Sequence, residues 1–190
     1  MNQVHFATTN AGKVATIRED LSPFGIEVIH KHMDISEPRS DDIREIARIK
    51  ALTAFEKIRK PVIVNDSSFH LAAWNGFPRA NVNFALQTIG NKGILKLVHG
   101  EERHCHFRSC LAFYDGKEVQ FFESETPGTI CEGERGQARK YNWSSLYLIF
   151  IPEGEKKTLA EMTEEEFLAW RKKRFPFSNV SKFAEWFLKG

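Results

Sequence analysis

An aspartate followed by two serines stands just after an apolar run, and these residue types suit the binding of a cation or a phosphate group. The run is Val62-Ile63-Val64, and Asp66, Ser67 and Ser68 come after it. Such a run is typical of a strand buried on both faces, as in a parallel sheet. We therefore predict that Asp66 lies at the carboxyl end of a buried strand, where open α/β sheets bind ligands. A turn or capping role for Asp66 stays open, because Asp and Ser are common turn residues.

A second group of polar residues follows a short strand near the amino terminus. The strand ends at Ala7, Thr8, Asn10 and Lys13 come next, and apolar residues then recur at helical spacing. Hydroxyl, amide and backbone N–H groups at a helix start donate to phosphate oxygens, and a lysine adds positive charge. The glycine spacing of a Walker loop is missing. The pattern predicts either a phosphate cradle or an ordinary N-cap followed by a surface lysine.

A lysine also falls on the apolar stripe of a predicted helix. The helix begins after the capping residues Asp41 and Asp42 and runs to about Ile58, with Lys50 on the same stripe as Ala54. A lysine that points inward is costly unless an anion meets it. The alternative is that the Lys50 stem lies along the core and its amine reaches solvent.

The spacing of apolar residues predicts the elements that position these side chains. Strands and helices alternate early in the chain, which is typical of an α/β fold. In the centre, Asp115-Gly116 separates two partly alternating arms over residues 104–114 and 117–123, and this is a strong hairpin signal. A strand over residues 147–152 follows, and a capping box at Thr163 begins a late helix. The pattern predicts a mixed sheet.

Composition narrows the class of protein. The chain has 190 residues, a hydrophobic fraction of 42% and a net charge of +2, which predicts one ordinary globular domain over residues 1–190. The weak basic charge does not favour a nucleic-acid partner, and no run has the length of a membrane span or of a secretory signal. Cys105, Cys110 and Cys131 form an odd number without metal-like pairing. We therefore expect a reduced, cytoplasmic protein.

Taken in order, the motifs resemble those of the inosine triphosphate pyrophosphatase family, and the resemblance extends from Phe6 to Phe187. The matching motifs are Thr8-x-Asn10-x-x-Lys13, Glu37, Lys50, Asp66-Ser67-Ser68, Gly76-x-Pro78 and Thr158-x-Ala160-Glu161-Met162. The resemblance implies an elongated, two-lobed α/β protein on a long central mixed sheet flanked by helices. It also implies a nucleotide groove between the lobes and a homodimer.

The chemistry that the resemblance implies is Mg²⁺-dependent hydrolysis of inosine and xanthosine triphosphates, including the deoxy forms, to a monophosphate and pyrophosphate. Glu37 and Asp66 are expected to hold Mg²⁺, and Asp66 is expected to orient or deprotonate the attacking water. Lys50 is expected to contact the phosphate chain as a second catalytic residue. The expected substrate-binding residues are Thr8, Asn10, Lys13, Ser67 and Trp143.

The chain departs from the family pattern at positions close to these motifs. Asn65 stands where the family has the first of two acidic residues, and Arg79 stands where it commonly has Gly. Trp143 supplies an aromatic residue for stacking on the base, without the Asp-Pro that usually follows. Asn179 replaces the His of a Ser-His-Arg signature, and four cations at residues 171–174 lie just before it.

These departures support an alternative hypothesis. A nucleotide-binding relative with a rewritten base pocket would bind a triphosphate without hydrolysing it, because loss of single transition-state contacts can cost orders of magnitude in rate. The leading hypothesis remains a pyrophosphatase with an altered base preference. A phosphatase that releases orthophosphate from another metabolite is a third possibility.

Overall fold

The computed structural model describes residues 2–36, 38–139 and 144–189. Seven strands are present in these ranges: β1 (Asn2–Ala7), β2 (Ile26–Lys31), β3 (Val62–Leu71), β4 (Pro78–Arg79), β5 (His104–Tyr114), β6 (Gln120–Ile130) and β7 (Phe150–Pro152). The same ranges hold six α-helices: α1 (Ala11–Leu21), α2 (Ile43–Ile58), α3 (Val82–Thr88), α4 (Gly90–Leu97), α5 (Glu164–Arg174) and α6 (Asn179–Phe187).

The strands form one sheet in the order β2-β1-β3-β5-β6-β7, and β4 pairs with β3 outside this path. Strand β1 pairs in parallel with both β2 and β3, whereas β4 is antiparallel to β3 and β7 is antiparallel to β6. The parallel strands are joined by crossovers that contain α1 and α2, whereas β5 and β6 are joined by a short connection. The predicted mixed sheet and α/β class are confirmed.

The chain divides into two compact units. The first comprises Met1–Ser67, Ser109–Ser124 and Arg174–Gly190, and the second comprises Ser68–Arg108 and Glu125–Lys173. Because β3, β5 and β6 span these boundaries, each of the three strands contributes residues to both units. The prediction of a single domain over residues 1–190 stays a prediction.

In the first unit, helices cover both faces of the sheet. One face packs α1 and α6 against alternate strand residues, including Phe6, Ile63 and Leu111. The opposite face packs α2 against the intervening residues, including Val64 and Ala112. Because successive strand residues point to opposite faces, this sandwich explains why residues 62–64 are all apolar.

The second unit has an aromatic core. Phe69, Phe107 and Phe150 pack with ring centroids 4.8 to 6.4 Å apart, and all three are buried. Helix α5 adds Phe167 to the same cluster. Thr163 and Glu166 form the predicted capping box, in which each side chain accepts a hydrogen bond from the backbone N–H of the other residue.

The predicted hairpin is confirmed at its turn. Strand β5 has the predicted bounds, and Gly116 adopts a φ of +102° in the connection to β6. A Cβ atom at Gly116 would lie 2.7 Å from the Phe55 ring, so both the positive φ and the close approach favour glycine. Strand β6 (Gln120–Ile130) continues past the second predicted arm, which covered residues 117–123.

Two predictions about strand limits were wrong. Asp66 lies in the interior of β3 and not at its carboxyl end, because the buried residues Phe69 and Leu71 carry the strand into a second core. The predicted strand over residues 147–152 is shorter, since a 3₁₀ turn (Ser145–Leu148) precedes β7. No helix within the described residues is long and apolar enough to cross a membrane.

Candidate active site

The loop after β1 is organised by its own side chains. Thr8 Oγ1 accepts a hydrogen bond from the Asn10 backbone N–H, and Asn10 Oδ1 accepts one from the Lys13 backbone N–H, each at 3.1 Å. Asn10 is therefore the N-cap of α1, as the simpler interpretation of this loop predicted. Capping and phosphate binding are compatible, because a capped helix start still presents backbone N–H groups and positive dipole.

Lys13 reaches from α1 to strand β3. Its Nζ donates a hydrogen bond of 2.9 Å to the backbone carbonyl of Asn65. Four residues earlier, the carbonyl of Pro61 accepts the His5 backbone N–H of β1 at 3.0 Å. Alternate carbonyls of a strand face the same neighbour, so the ammonium of Lys13 continues the β1–β3 ladder after β1 has ended at Ala7.

Lys50 and Asp66 form a nearly buried ion pair. Lys50 Nζ lies 2.5 Å from Asp66 Oδ1, and the side chains are 17% and 11% exposed. Asp66 Oδ2 is buried and has no hydrogen-bond partner in the part of the chain that the structure describes. The anion that an inward-pointing Lys50 requires is therefore Asp66, and the prediction that its amine reaches solvent was wrong.

An unpartnered buried carboxylate oxygen is costly, because desolvation is not repaid by a hydrogen bond. Asp66 Oδ2 is thus an atom that a cation or a water donor would stabilise. The described residues contain no cluster of three or more His, Cys, Asp or Glu side chains suited to a metal. A single carboxylate is still sufficient for Mg²⁺, which usually keeps several waters and binds substrate phosphates.

Asn65 points to the face opposite Asp66, where it meets α6. Its Oδ1 accepts a hydrogen bond of 2.8 Å from Asn179 Nδ2, across 114 positions of sequence. Asn179 is 5% exposed and begins α6, whose N-cap is Ser178. The two asparagines that depart from the family motifs are therefore partners of each other.

The two serines after Asp66 have different surroundings. Ser67 Oγ lies 3.3 Å from Ser109 Oγ on β5. Ser68 is buried, and its hydroxyl lies 2.9 Å from His70 Nε2. Ser67 is thus placed in the first compact unit with Asp66, whereas Ser68 belongs to the second.

Burial shifts the pKa values of titratable side chains on β3 and β5. Burial, followed by the influence of His106, lowers the pKa of His70 to about 4. The His70 and His106 rings are stacked, with centroids 4.7 Å apart. Burial, followed by the charges of Glu123 and Asp66, raises the pKa of Cys110 to about 12, so this thiol is protonated at neutral pH.

The first compact unit brings together most of the predicted site residues. They are Thr8, Asn10, Lys13, Lys50, Asp66 and Ser67. The predicted metal ligand Glu37 and the predicted stacking residue Trp143 lie outside the described residues. Arg79 is exposed and adopts a left-handed φ of 55°, which gives a physical reason for glycine at this position in the family.

The contact between Asn65 and Asn179 is the feature that the sequence did not predict. Both positions stood out as departures from family motifs, but nothing in either segment indicated that they touch. Correlated substitutions at positions 65 and 179 among related sequences would have indicated such a contact.

The chain is similar to known proteins over most of its length. The Ham1 family profile matches residues 4–180. A dITP/XTP pyrophosphatase of Methanopyrus kandleri is 39% identical over 97% of this chain and 96% of its own length. One of Saccharolobus solfataricus is 38% identical over 94% and 91%.

The fold is also found in solved structures. A HAM1 protein from Coxiella burnetii superposes with a TM-score of 0.80 at 20% identity, and the match covers 100% of both chains. The family resemblance predicted from the motif order is confirmed by the profile and by the full-length relatives. The chain belongs to the Ham1 family.

Proposed function

We propose that this protein is a Mg²⁺-dependent nucleoside triphosphate pyrophosphatase that converts a keto-purine triphosphate, such as dITP or XTP, to the monophosphate and pyrophosphate. The observation that carries the proposal is the state of Asp66, whose carboxylate is nearly buried, ion-paired through Oδ1 and without a partner at Oδ2 among the described residues. The names of the relatives supply the substrate class.

Lysines and backbone donors account for recognition of the phosphates. Lys13 and Lys50 supply two ammonium groups, and the capped start of α1 supplies N–H groups and positive dipole. Thr8, Asn10 and Ser67 add hydroxyl and amide groups. Such donors bind the negative charge of the phosphate chain, both in the substrate and on the leaving pyrophosphate.

The metal would be held by Asp66, together with the proposed ligand Glu37. When bound, Mg²⁺ would neutralise phosphate charge and polarise the phosphoryl group. Hard oxygen ligands favour Mg²⁺ over a transition metal, and Asp66 Oδ2 fits this requirement as a buried oxygen that no other described residue contacts through a hydrogen bond.

The reaction that fits these residues is attack of water on the α-phosphorus. A bond forms between the water oxygen and this phosphorus, and the bond to the bridging oxygen breaks, so that pyrophosphate leaves with the electron pair. Asp66 accepts a hydrogen bond from the water and takes up its proton. Lys50 holds the Asp66 carboxylate in place through their ion pair, and it contacts the phosphate chain.

The decisive experiment is Asp66→Asn, which keeps the shape of the side chain and removes its charge. We expect kcat/KM to fall by about 10²- to 10³-fold, the usual effect of losing one acid–base or electrostatic group. The matched control is Asp115→Asn in the exposed hairpin turn, which we expect to leave the rate unchanged. Undiminished turnover by the Asp66 variant would contradict the assigned role.

The substrate is identified with inosine, xanthosine and the common ribo- and deoxynucleoside triphosphates, with pyrophosphate and orthophosphate measured separately. We expect pyrophosphate from the inosine and xanthosine compounds. Metal-dependent binding without any product would favour the non-catalytic alternative, and orthophosphate release would favour the phosphatase alternative.

We also propose that the protein is cytoplasmic and forms a homodimer. The three cysteines are free and buried, which agrees with a reducing compartment. The dimer is proposed by analogy with the family. Light scattering on the purified protein tests it, and a monomer mass at assay concentration would overturn it.

A further inference from the structure

Two hydrogen bonds of Asn65 connect Asn179 to Lys13. The Asn65 side chain accepts from Asn179, and its backbone carbonyl accepts from Lys13 Nζ. Asn179 is nearly inaccessible, and Asn65 is half-buried. Asn65 therefore connects Asn179, the first residue of α6, to the ammonium group of Lys13 in the first turn of α1.

The place where β1 ends explains why these hydrogen bonds are needed. Strand β1 stops at Ala7, so the Asn65 carbonyl has no further backbone N–H from β1 to accept. A strand segment without its neighbour loses ladder hydrogen bonds that otherwise fix its direction. The hydrogen bond from Asn179 replaces part of this restraint, because it fixes the Asn65 side chain on the face of the sheet that α6 covers.

We propose that Asn65 and Asn179 form a neutral amide latch that positions Lys13 for the phosphate chain of the substrate. The latch deepens the proposed function and rests on it. Asn179 is thereby a positioning residue that acts through Asn65, and Lys13 is the group that touches the substrate.

The neutrality of the latch matters for the charge of the site. The Asn65 carbonyl oxygen orients the Lys13 ammonium without adding a negative charge to the site. The amides also have no titration in the physiological range, so the latch holds Lys13 in the same way across that range.

The first experiment is Asn179→Ala, which removes the donor to Asn65. We expect KM for the triphosphate to rise about tenfold and kcat to change by less than about twofold, because Lys13 binds the phosphates in both the ground and transition states. Calorimetric titration with inorganic pyrophosphate should show the same tenfold weakening. An unchanged KM and pyrophosphate affinity would overturn the latch.

A double variant tests whether Asn179 acts through Lys13. In a Lys13→Met background, Asn179→Ala should weaken pyrophosphate binding by less than about twofold further, since the group it positions is already gone. An additional tenfold loss in that background would mean that Asn179 contacts the ligand by another route, and it would also overturn the latch.

Two controls separate positioning from loss of stability. Phe187→Ala loosens the packing of the same helix against Phe113 of β5 without touching the latch, so it should lower Tm and leave KM unchanged. Asn179→His keeps an N–H donor and should restore most of the affinity lost in the alanine variant. If Phe187→Ala raises KM as much as Asn179→Ala does, the effect is structural and the latch is wrong.

The titration distinguishes failure of the latch from failure of the proposed function. Pyrophosphate binding without hydrolysis of any triphosphate by the native protein would contradict the proposed function, while the affinities of the variants still decide the latch. Hydrolysis with normal affinities in Asn179→Ala would contradict the latch alone.

Discussion

Asn65 and Asp66 are neighbours on β3, and their side chains are held on opposite faces of the sheet by opposite kinds of contact. Asp66 forms an ion pair with Lys50 of α2 and keeps one oxygen unpartnered among the described residues. Asn65 forms a neutral hydrogen bond with Asn179 of α6. The difference shows that adjacent residues of one strand can be held by an ionic contact on one face and by a neutral contact on the other.

The comparison also explains the loss of one acidic residue relative to the family pattern. An acid at position 65 would face α6 and not the Lys50 side of the sheet, because adjacent strand residues alternate. In this chain Asn179 offers an amide N–H to that face. The two substitutions are therefore chemically matched, and neither removes the carboxylate that is paired with Lys50.

The largest expected effect comes from breaking the charged pair. Lys50→Met should leave the Asp66 carboxylate buried without its cation and lower the free energy of unfolding by about 3 kcal/mol. Urea unfolding at pH 7 measures this change, and Lys57→Met at the exposed end of α2 is the matched control. A loss below about 1 kcal/mol would show that solvent reaches the pair more than its burial indicates.

His70, further along β3, changes its charge with pH, whereas the Asn65–Asn179 pair does not. The pKa of His70 is lowered to about 4, whereas an unfolded histidine has a pKa of about 6.5. As pH falls between these values, the unfolded chain binds a proton that the folded protein does not, so the folded protein loses stability.

His70→Gln should remove this loss, which we expect to be about 1 to 3 kcal/mol between pH 6.5 and 4, reduced by the partial exposure of the ring. Chemical unfolding across that range gives the comparison. Asn179→Ala serves as the control, because an amide does not titrate and the variant should keep the native slope. Equal slopes for the native protein and His70→Gln would contradict the prediction.

The smallest expected effect comes from the neutral pair. Asn65→Ala and Asn179→Ala should each cost about 1 kcal/mol of unfolding free energy, and the double variant should cost little more than either single one. The same cycle on Lys50 and Asp66 should give a larger coupling energy. Strict additivity for the asparagines would show that their contact contributes nothing to stability.

Elements with a strong local pattern could be predicted from the sequence. Helix α2 begins after Asp42 and ends at Ile58, and β5 has its predicted bounds. Here caps, turn residues and apolar periodicity all favour the same local structure. The interior position of Asp66 could not be predicted, since the local sequence favours a turn and the strand continues only because a second core buries Phe69 and Leu71.

The contacts of the candidate site likewise include some that could be predicted from the sequence and some that could not. Lys50 could be expected to meet an anion, because an inward lysine has few other stable environments. The pairing of Asn65 with Asn179 depends on where α6 packs, and no local pattern encodes that position. The hydrogen bond from Lys13 to a backbone carbonyl could not be predicted either, because every residue has a backbone carbonyl and its residue type does not indicate this contact.

The bond from Lys13 to the Asn65 carbonyl changes what sequence variation at this position can reveal. A lysine that completes a strand ladder would be retained by selection on the fold alone, even in a lineage that had lost hydrolysis. Its presence in a relative therefore does not diagnose an active enzyme. Under the proposed function, variation at Asp66 is the better marker of retained catalysis, because its Oδ2, which has no partner in the described part of the chain, is a liability for the fold.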